Sequence, residues 1–197
     1  MKPLFALAIA AASTLSAYAA EAPAHVMGAP NAPITIELFS DFQCPGCKFL
    51  HETTIKELRQ SYVSSGKVRL VYRDIHLPMH RYARIAGTYA DAAEKLGLYD
   101  TVADRLFATQ AQWEQTGDVD KAVSAVVPPP QMLKLRAMAA DPSVGRALDE
   151  ETQQALEQIR IPGTPTLIIH HGTQSERIGQ VSMPILSKYL DTLLAGK

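Results

Sequence analysis

Cysteine is scarce in this chain: two in 197 residues, alongside a single tryptophan. Two cysteines cannot form a multi-bridge scaffold. A chain of this length with 47% hydrophobic residues can bury a core without disulfide staples. Excess charge is also missing. The net charge of −1 leaves no basic field for nucleic acid and no acidic tail. There is no Gly-rich phosphate loop, no Ser/His/Asp nucleophile motif, no internal repeat and, past the first twenty residues, no apolar run long enough to span a membrane. The length fits one domain, or one domain carrying a large insertion.

The first residues differ from the rest. Lys2 is followed by an apolar, Ala-rich run from Leu4 to Leu15 and by the small-x-small site Ala17-Tyr18-Ala19. This is the layout of a secretory signal peptide over residues 1–19. The alternative, an uncleaved anchor, needs a longer and more apolar run. No cysteine follows the run, which argues against a lipoprotein anchor. Export to the periplasm, or otherwise out of the cytoplasm, is the expectation, and there disulfides persist.

Both cysteines lie in Cys44-Pro45-Gly46-Cys47. A structural disulfide gains stability by closing a long loop, and a two-residue gap restrains little of the unfolded chain. The pair is therefore poor as a staple and good as a reagent.

Residues 20–33 read as an extended lead-in. Ile34–Phe39 reads as a strand, Ser40–Gln43 as a loop, and the chain from Pro45 toward Ser64 as a helix with Phe49, Leu50, Ile55 and Leu58 at helical spacing. Val68–Tyr72 is a second strand, which makes a βαβ unit with a parallel pair. Residues 81–159 look wholly helical, as three to five helices. Ala83, Ala86, Ala90 and Ala93 form a stripe there, and Asp141-Pro142 is a helix start. Thr166–Ile169 is a third strand, His170–Thr173 a turn, and Ser175–Ile178 a fourth strand antiparallel to the third. Ser182 caps a last helix whose buried face carries Ile185, Leu186, Tyr189, Leu190, Leu193 and Leu194. The domain plan is thus an α/β unit over 34–80 and 160–197, with a helical insertion at 81–159.

Thiol chemistry runs through the thiolate, which a helix N-terminus favours. Cys44 stands where strand gives way to helix. Pro45 suits the first helical position, and Gly46 adds no side chain over the sulfur. Cys44 is expected to be the exposed, exchanging sulfur. Cys47, one turn in, is expected to be the more buried, resolving one.

The segment Phe39-Ser40-Asp41-Phe42-Gln43-Cys44-Pro45-Gly46-Cys47 resembles the active-site segment of the DsbA family of thioredoxin-fold disulfide oxidoreductases. The stretches from Gly28 to Ile36 and from Tyr72 to Pro78 are similar to the same family, as is Gly163-Thr164-Pro165-Thr166. The resemblance implies a thioredoxin-like fold with an inserted helical subdomain and no cofactor beyond a redox-active Cys44–Cys47 disulfide. It also implies a cis Thr164-Pro165 bond against that disulfide. Thr164 would then offer its backbone to an extended substrate; from the residues alone, an ordinary proline turn stays open. The implied partners are cysteine-containing exported proteins and a redox partner that resets the disulfide. Two departures stand out. The family's buried acid, six residues before the first active cysteine, is Leu38 here, and Glu37 falls on the opposite strand face. Gly46 replaces a histidine found in the strongest oxidants, so an oxidising but less extreme potential is expected.

Other readings remain open. A reductase or isomerase would use the same sulfurs. An isomerase usually needs a dimerisation module, for which the lead-in has no room, so a monomer is expected. A copper- or zinc-binding module could use Cys44, Cys47 and His51, the last on the Cys47 helix face; a packing role for His51 is the plainer reading. His76 and His80 could lie near the site. His170 and His171 read as solvent-facing, and His25 as part of a mobile lead-in.

Overall fold

Along the strand Ile34–Ser40, Ile34, Ile36 and Leu38 alternate onto one face and are fully buried. Phe39 points the other way and is equally buried. A strand covered on both faces belongs in the middle of a sheet, and that is its place. The computed structural model describes residues 25–196. The expected leader, residues 1–19, lies outside them. The strands are β1 (His25–Met27), β2 (Ile34–Ser40), β3 (Val68–Asp74), β4 (Thr166–His171) and β5 (Gln174–Ile178). They form one sheet in the order β1-β3-β2-β4-β5. β2 and β3 are parallel, and the other neighbours are antiparallel.

One sheet face packs Ile36, Leu38, Leu70, Leu167 and Ile169 against Leu50, Ile55 and Leu58 of the helical run after Cys44 and against Leu186 and Leu190 of the last helix, Met183–Leu194. On the other face, Phe39 and Ile75 meet Ala155 and Ile161 from the end of the helical block. That block is inserted between β3 and β4. It comprises the helices Ala83–Glu94, Tyr99–Ala108, Gln110–Thr116, Val119–Ser124, Pro129–Ala139 and Pro142–Gln153, the last continuing to Ile159 in a wide turn. Ala83, Ala86, Ala90 and Ala93 are all buried, and Asp141 caps its helix by accepting from Ser143 N.

Several expectations need correction. The lead-in contains β1, which pairs with β3, and Gly28 (φ 94°) turns the chain away where a Cβ would meet Val68 O at 2.4 Å. His25 is held in β1, stacked on Tyr99 and paired with Glu94, so it is fixed and not mobile. The block holds six helices among the described residues, because Thr109 and Gly117 break segments that sequence periodicity runs together. β4 continues through His170 and His171, since both pair with β2, and the turn shrinks to Gly172-Thr173. His170 leans onto Glu37, with Nε2 at 2.9 Å from its carboxylate. Ser182 sits at the N-cap without a side-chain bond, and Ile185 is 66% exposed beside a surface groove. The run after Pro45 is helical to Val63 but widens into π turns at His51–Ile55 and Arg59–Val63.

Candidate active site

The end of β2 delivers a loop that is fastened from several directions. Phe42 is buried against Phe107, ring centroids 4.9 Å apart. The Gln43 side chain accepts from Tyr82 N at 2.7 Å. Gln110, from the helical block, donates to Phe42 O at 2.7 Å and to Cys44 O at 3.1 Å. Cys44 N donates to Asp41 O at 3.0 Å. These contacts set Cys44 at the N-cap in an extended conformation (φ −76°, ψ 121°), with Pro45 opening the helix.

The Thr164-Pro165 bond is cis. Cys44 Sγ lies 3.3 Å from Thr164 O and donates to it as a thiol. Thr164 Oγ1 is buried without a hydrogen-bond partner, so it can donate once the sulfur is a thiolate. A Cβ on Gly46 would lie 3.1 Å from Pro165 Cδ and 3.4 Å from Gln180 Oε1. The turn at 164–165 therefore roofs the redox helix. This roof corrects the expectation of an exposed Cys44: the residue is 7% exposed and Cys47 is 3% exposed.

The two thiols are free and have opposite acidities. A hydrogen bond from the Cys47 thiol is the largest influence on Cys44. It outweighs burial and, with Thr164 and the N–H groups of Cys47 and Gly46, brings the Cys44 thiol down to about 5. Burial pushes Cys47 well up, and the Cys44 hydrogen bond and charge push the same way. Asp41 N–H and the Ser40 hydroxyl oppose them. At neutral pH the pair holds one negative charge, on Cys44. Helix-start N–H groups contribute, as the sequence suggests, but the partner sulfur contributes more.

The structure adds residues that the sequence reading passed over. Asp41 N–H contacts Cys47 Sγ at 3.5 Å. The Asp41 side chain is fully buried and accepts from Gln43 N at 2.7 Å, Leu77 N at 2.8 Å and the His80 ring at 2.7 Å. An acid set between Phe39 and Phe42, three residues before Cys44, was the available signal for Asp41. Gln110 gave none, because its role depends on how the helical block docks. Other candidates go elsewhere. Glu37 faces away and pairs with Arg73 and His170. His51 is buried with Nε2 2.6 Å from Asp104. His76 pairs with Asp149. Among the described residues, no three His, Cys, Asp or Glu side chains are gathered so as to hold a metal ion, so Cys44, Cys47 and His51 do not make a ligand set.

Known proteins resemble this one at both levels. The thioredoxin family profile matches residues 20–191. The Na(+)/H(+) antiporter NhaA 3 of Salinispora tropica is 29% identical over 177 residues, which is 86% of this chain and 25% of that protein. The chain thus spans about a quarter of the length of that relative. Disulfide bond formation protein D of Bacillus subtilis is 23% identical over 154 residues, covering 74% of this chain and 67% of that protein. Among solved structures, Wolbachia pipientis alpha-DsbA1 is similar with a TM-score of 0.76 at 16% identity, over 88% of this chain and 92% of that one. Oxidised BdbD of Bacillus subtilis follows at 0.69 and 17%, over 86% and 92%. A family match over most of the residues, on a sheet and helical insertion that superpose on DsbA proteins, makes this chain a member of the thioredoxin family with a DsbA-like architecture.

Proposed function

We propose that the protein is an exported thiol:disulfide oxidoreductase that passes a Cys44–Cys47 disulfide to cysteine-containing proteins. The observation that carries this is geometric: two thiols one helical turn apart, the outer one at a helix start with Sγ 3.3 Å from Thr164 O. A substrate thiolate attacks Cys44 and expels Cys47. A second substrate thiol then attacks the mixed disulfide and expels Cys44, whose acidity makes it a good leaving group. Thr164 and Pro165 border the sulfur and offer backbone to an extended chain. An apolar groove of about 670 Å³, lined by Phe49, Ile178, Val181, Ile185 and Tyr189, adjoins Gln180 and suits an unfolded segment carrying the cysteine. A stabilised Cys44 thiolate favours the reduced protein and hence the oxidase direction over reductase or isomerase. A separate redox partner must then restore the disulfide, and the protein acts as a monomer.

The test is oxidation of a reduced two-cysteine polypeptide, with Cys44→Ala and Cys47→Ala variants. Cys47→Ala is expected to trap mixed disulfides through Cys44, and Cys44→Ala to trap few. The potential is expected between those of thioredoxin (about −270 mV) and DsbA (about −120 mV). Equal trapping on Cys47, or a potential as low as thioredoxin's, would sink this reading.

A further inference from the structure

Each exchange at Cys44 makes or consumes a proton on Cys47, and Cys47 is sealed from solvent. When a thiolate opens the Cys44–Cys47 bond, Cys47 departs as an anion in surroundings that strongly favour the neutral thiol. Cys44 cannot return a proton while it is bonded to the substrate. Ser40 and Asp41 N–H can stabilise the sulfur, but neither is a proton store.

Asp41 is placed to be one. Its N–H contacts the Cys47 sulfur at 3.5 Å, and the carboxylate of the same residue is only a few bonds further on, a gap that one water molecule can bridge. That carboxylate is wholly buried, and its one side-chain partner is His80, at 2.7 Å. His80 is 19% exposed, on the turn where its N–H donates to Leu77 O. The route therefore runs from the sulfur, across one bridging water, to the Asp41 carboxylate and on to a ring at the surface. Imidazole is the side chain suited to exchanging protons with water near neutral pH. The titratable groups facing Asp41 are His80 from this turn, Cys44 and Cys47 from the redox helix, and Asp74 from the end of β3.

We propose that Asp41 and His80 are the proton route of Cys47. This rests on the exchange reading above. The substrate thiolate forms a bond to Cys44 Sγ as the Cys44–Cys47 bond breaks, and the electron pair goes to Cys47 Sγ. That sulfur takes a proton from the Asp41 side, His80 resupplies Asp41, and water resupplies His80. In the reverse step, Cys47 returns the proton along the same path and re-forms its bond to Cys44, releasing the substrate thiolate. Asp41 borders the reacting sulfur; His80 acts through Asp41 and is a positioning residue.

The experiment follows the opening of the disulfide in the intact oxidised protein by reduced glutathione, across pH, for wild type, His80→Ala and Asp41→Asn. His80→Ala is expected to slow opening about tenfold or more near neutral pH, to keep the wild-type rate of Cys44 alkylation when reduced, and to regain speed with added imidazole. Asp41→Asn is expected to be slow and deaf to imidazole. Wild-type rate and pH profile in His80→Ala overturn the route, and so does a slowing that imidazole leaves untouched, since that marks loop placement alone. If Asp41→Asn fails to fold, His80→Ala decides by itself. A wild-type protein that does not exchange with glutathione overturns the functional reading, and the route with it.

Discussion

At the residue scale, the Cys44 thiolate links chemistry to stability. The unfolded thiol titrates near about 8.5, whereas the folded one lies at about 5. Between those values Cys44 binds more protons in the unfolded reduced chain than in the folded one, so its contribution to the stability of the reduced form rises with pH. Cys47 is pushed up and stays protonated in both states across that window, adding nothing there. The disulfide form has no thiolate to stabilise. The reduced protein is therefore expected to melt about 5 °C above the oxidised one near neutral pH, with the gap closing toward about pH 5. Calorimetry of both redox states checks this, and a gap that stays constant with pH would assign it to something other than Cys44.

At the scale of elements, the helix Gln110–Thr116 supports the redox loop through one amide. Gln110 is buried and serves two carbonyls, of Phe42 and Cys44. Gln110→Ala leaves Phe42 O unmet, while Cys44 O keeps Lys48 N–H at 3.1 Å, and is expected to cost about 1–3 kcal/mol, read as a lower urea midpoint, with slower exchange as Cys44 loosens. The elements themselves were largely legible. Ile34, Ile36 and Leu38 announce a central strand, and the alanine stripe announces a packed helix, because local periodicity reports burial. The reactive pair was legible too, since a two-residue gap has little structural use. The rest depends on contacts far apart in sequence. β1 is three residues long and exists only by pairing with Tyr72, Val71 and Leu70. Asp41 meets His80 across 39 positions, and Gln110 meets Cys44 across 66. Cys44 was expected at the surface because nothing local reveals that residues 164–165 fold over it.

Across the whole molecule, the seam between sheet and helical block carries buried acids. Burial lifts Asp74 to about 7 against the opposing Tyr99 hydroxyl and His25, with the Glu151 and Asp41 charges adding to the lift. Asp91 is raised well above the usual range by burial first, then by the Asp74 and Glu151 charges. A carboxyl whose folded pKa exceeds its unfolded one costs stability as pH rises from the unfolded value to the folded one. The oxidised fold, which has no Cys44 thiolate to offset these acids, is expected to be firmest in mild acid. Asp74→Asn is expected to gain about 1–2 kcal/mol over wild type near pH 8 and little near pH 5, by denaturant titration at both. Equal effects at the two pH values would mean that Asp74 titrates normally.

The Cys47 thiol that hydrogen-bonds to Cys44 is also placed to guard it against oxidative damage. Hydrogen peroxide converts a thiolate to a sulfenic acid, which continues to sulfinic and sulfonic acids unless a neighbouring thiol intercepts it. Here Cys47 is that neighbour. It is expected to condense with the Cys44 sulfenic acid, expelling water and leaving the Cys44–Cys47 disulfide. Mass spectrometry after peroxide is expected to find wild type halted at the disulfide and Cys47→Ala carrying the higher acids on Cys44. An oxidant that ruins other acidic thiols would then recharge this one.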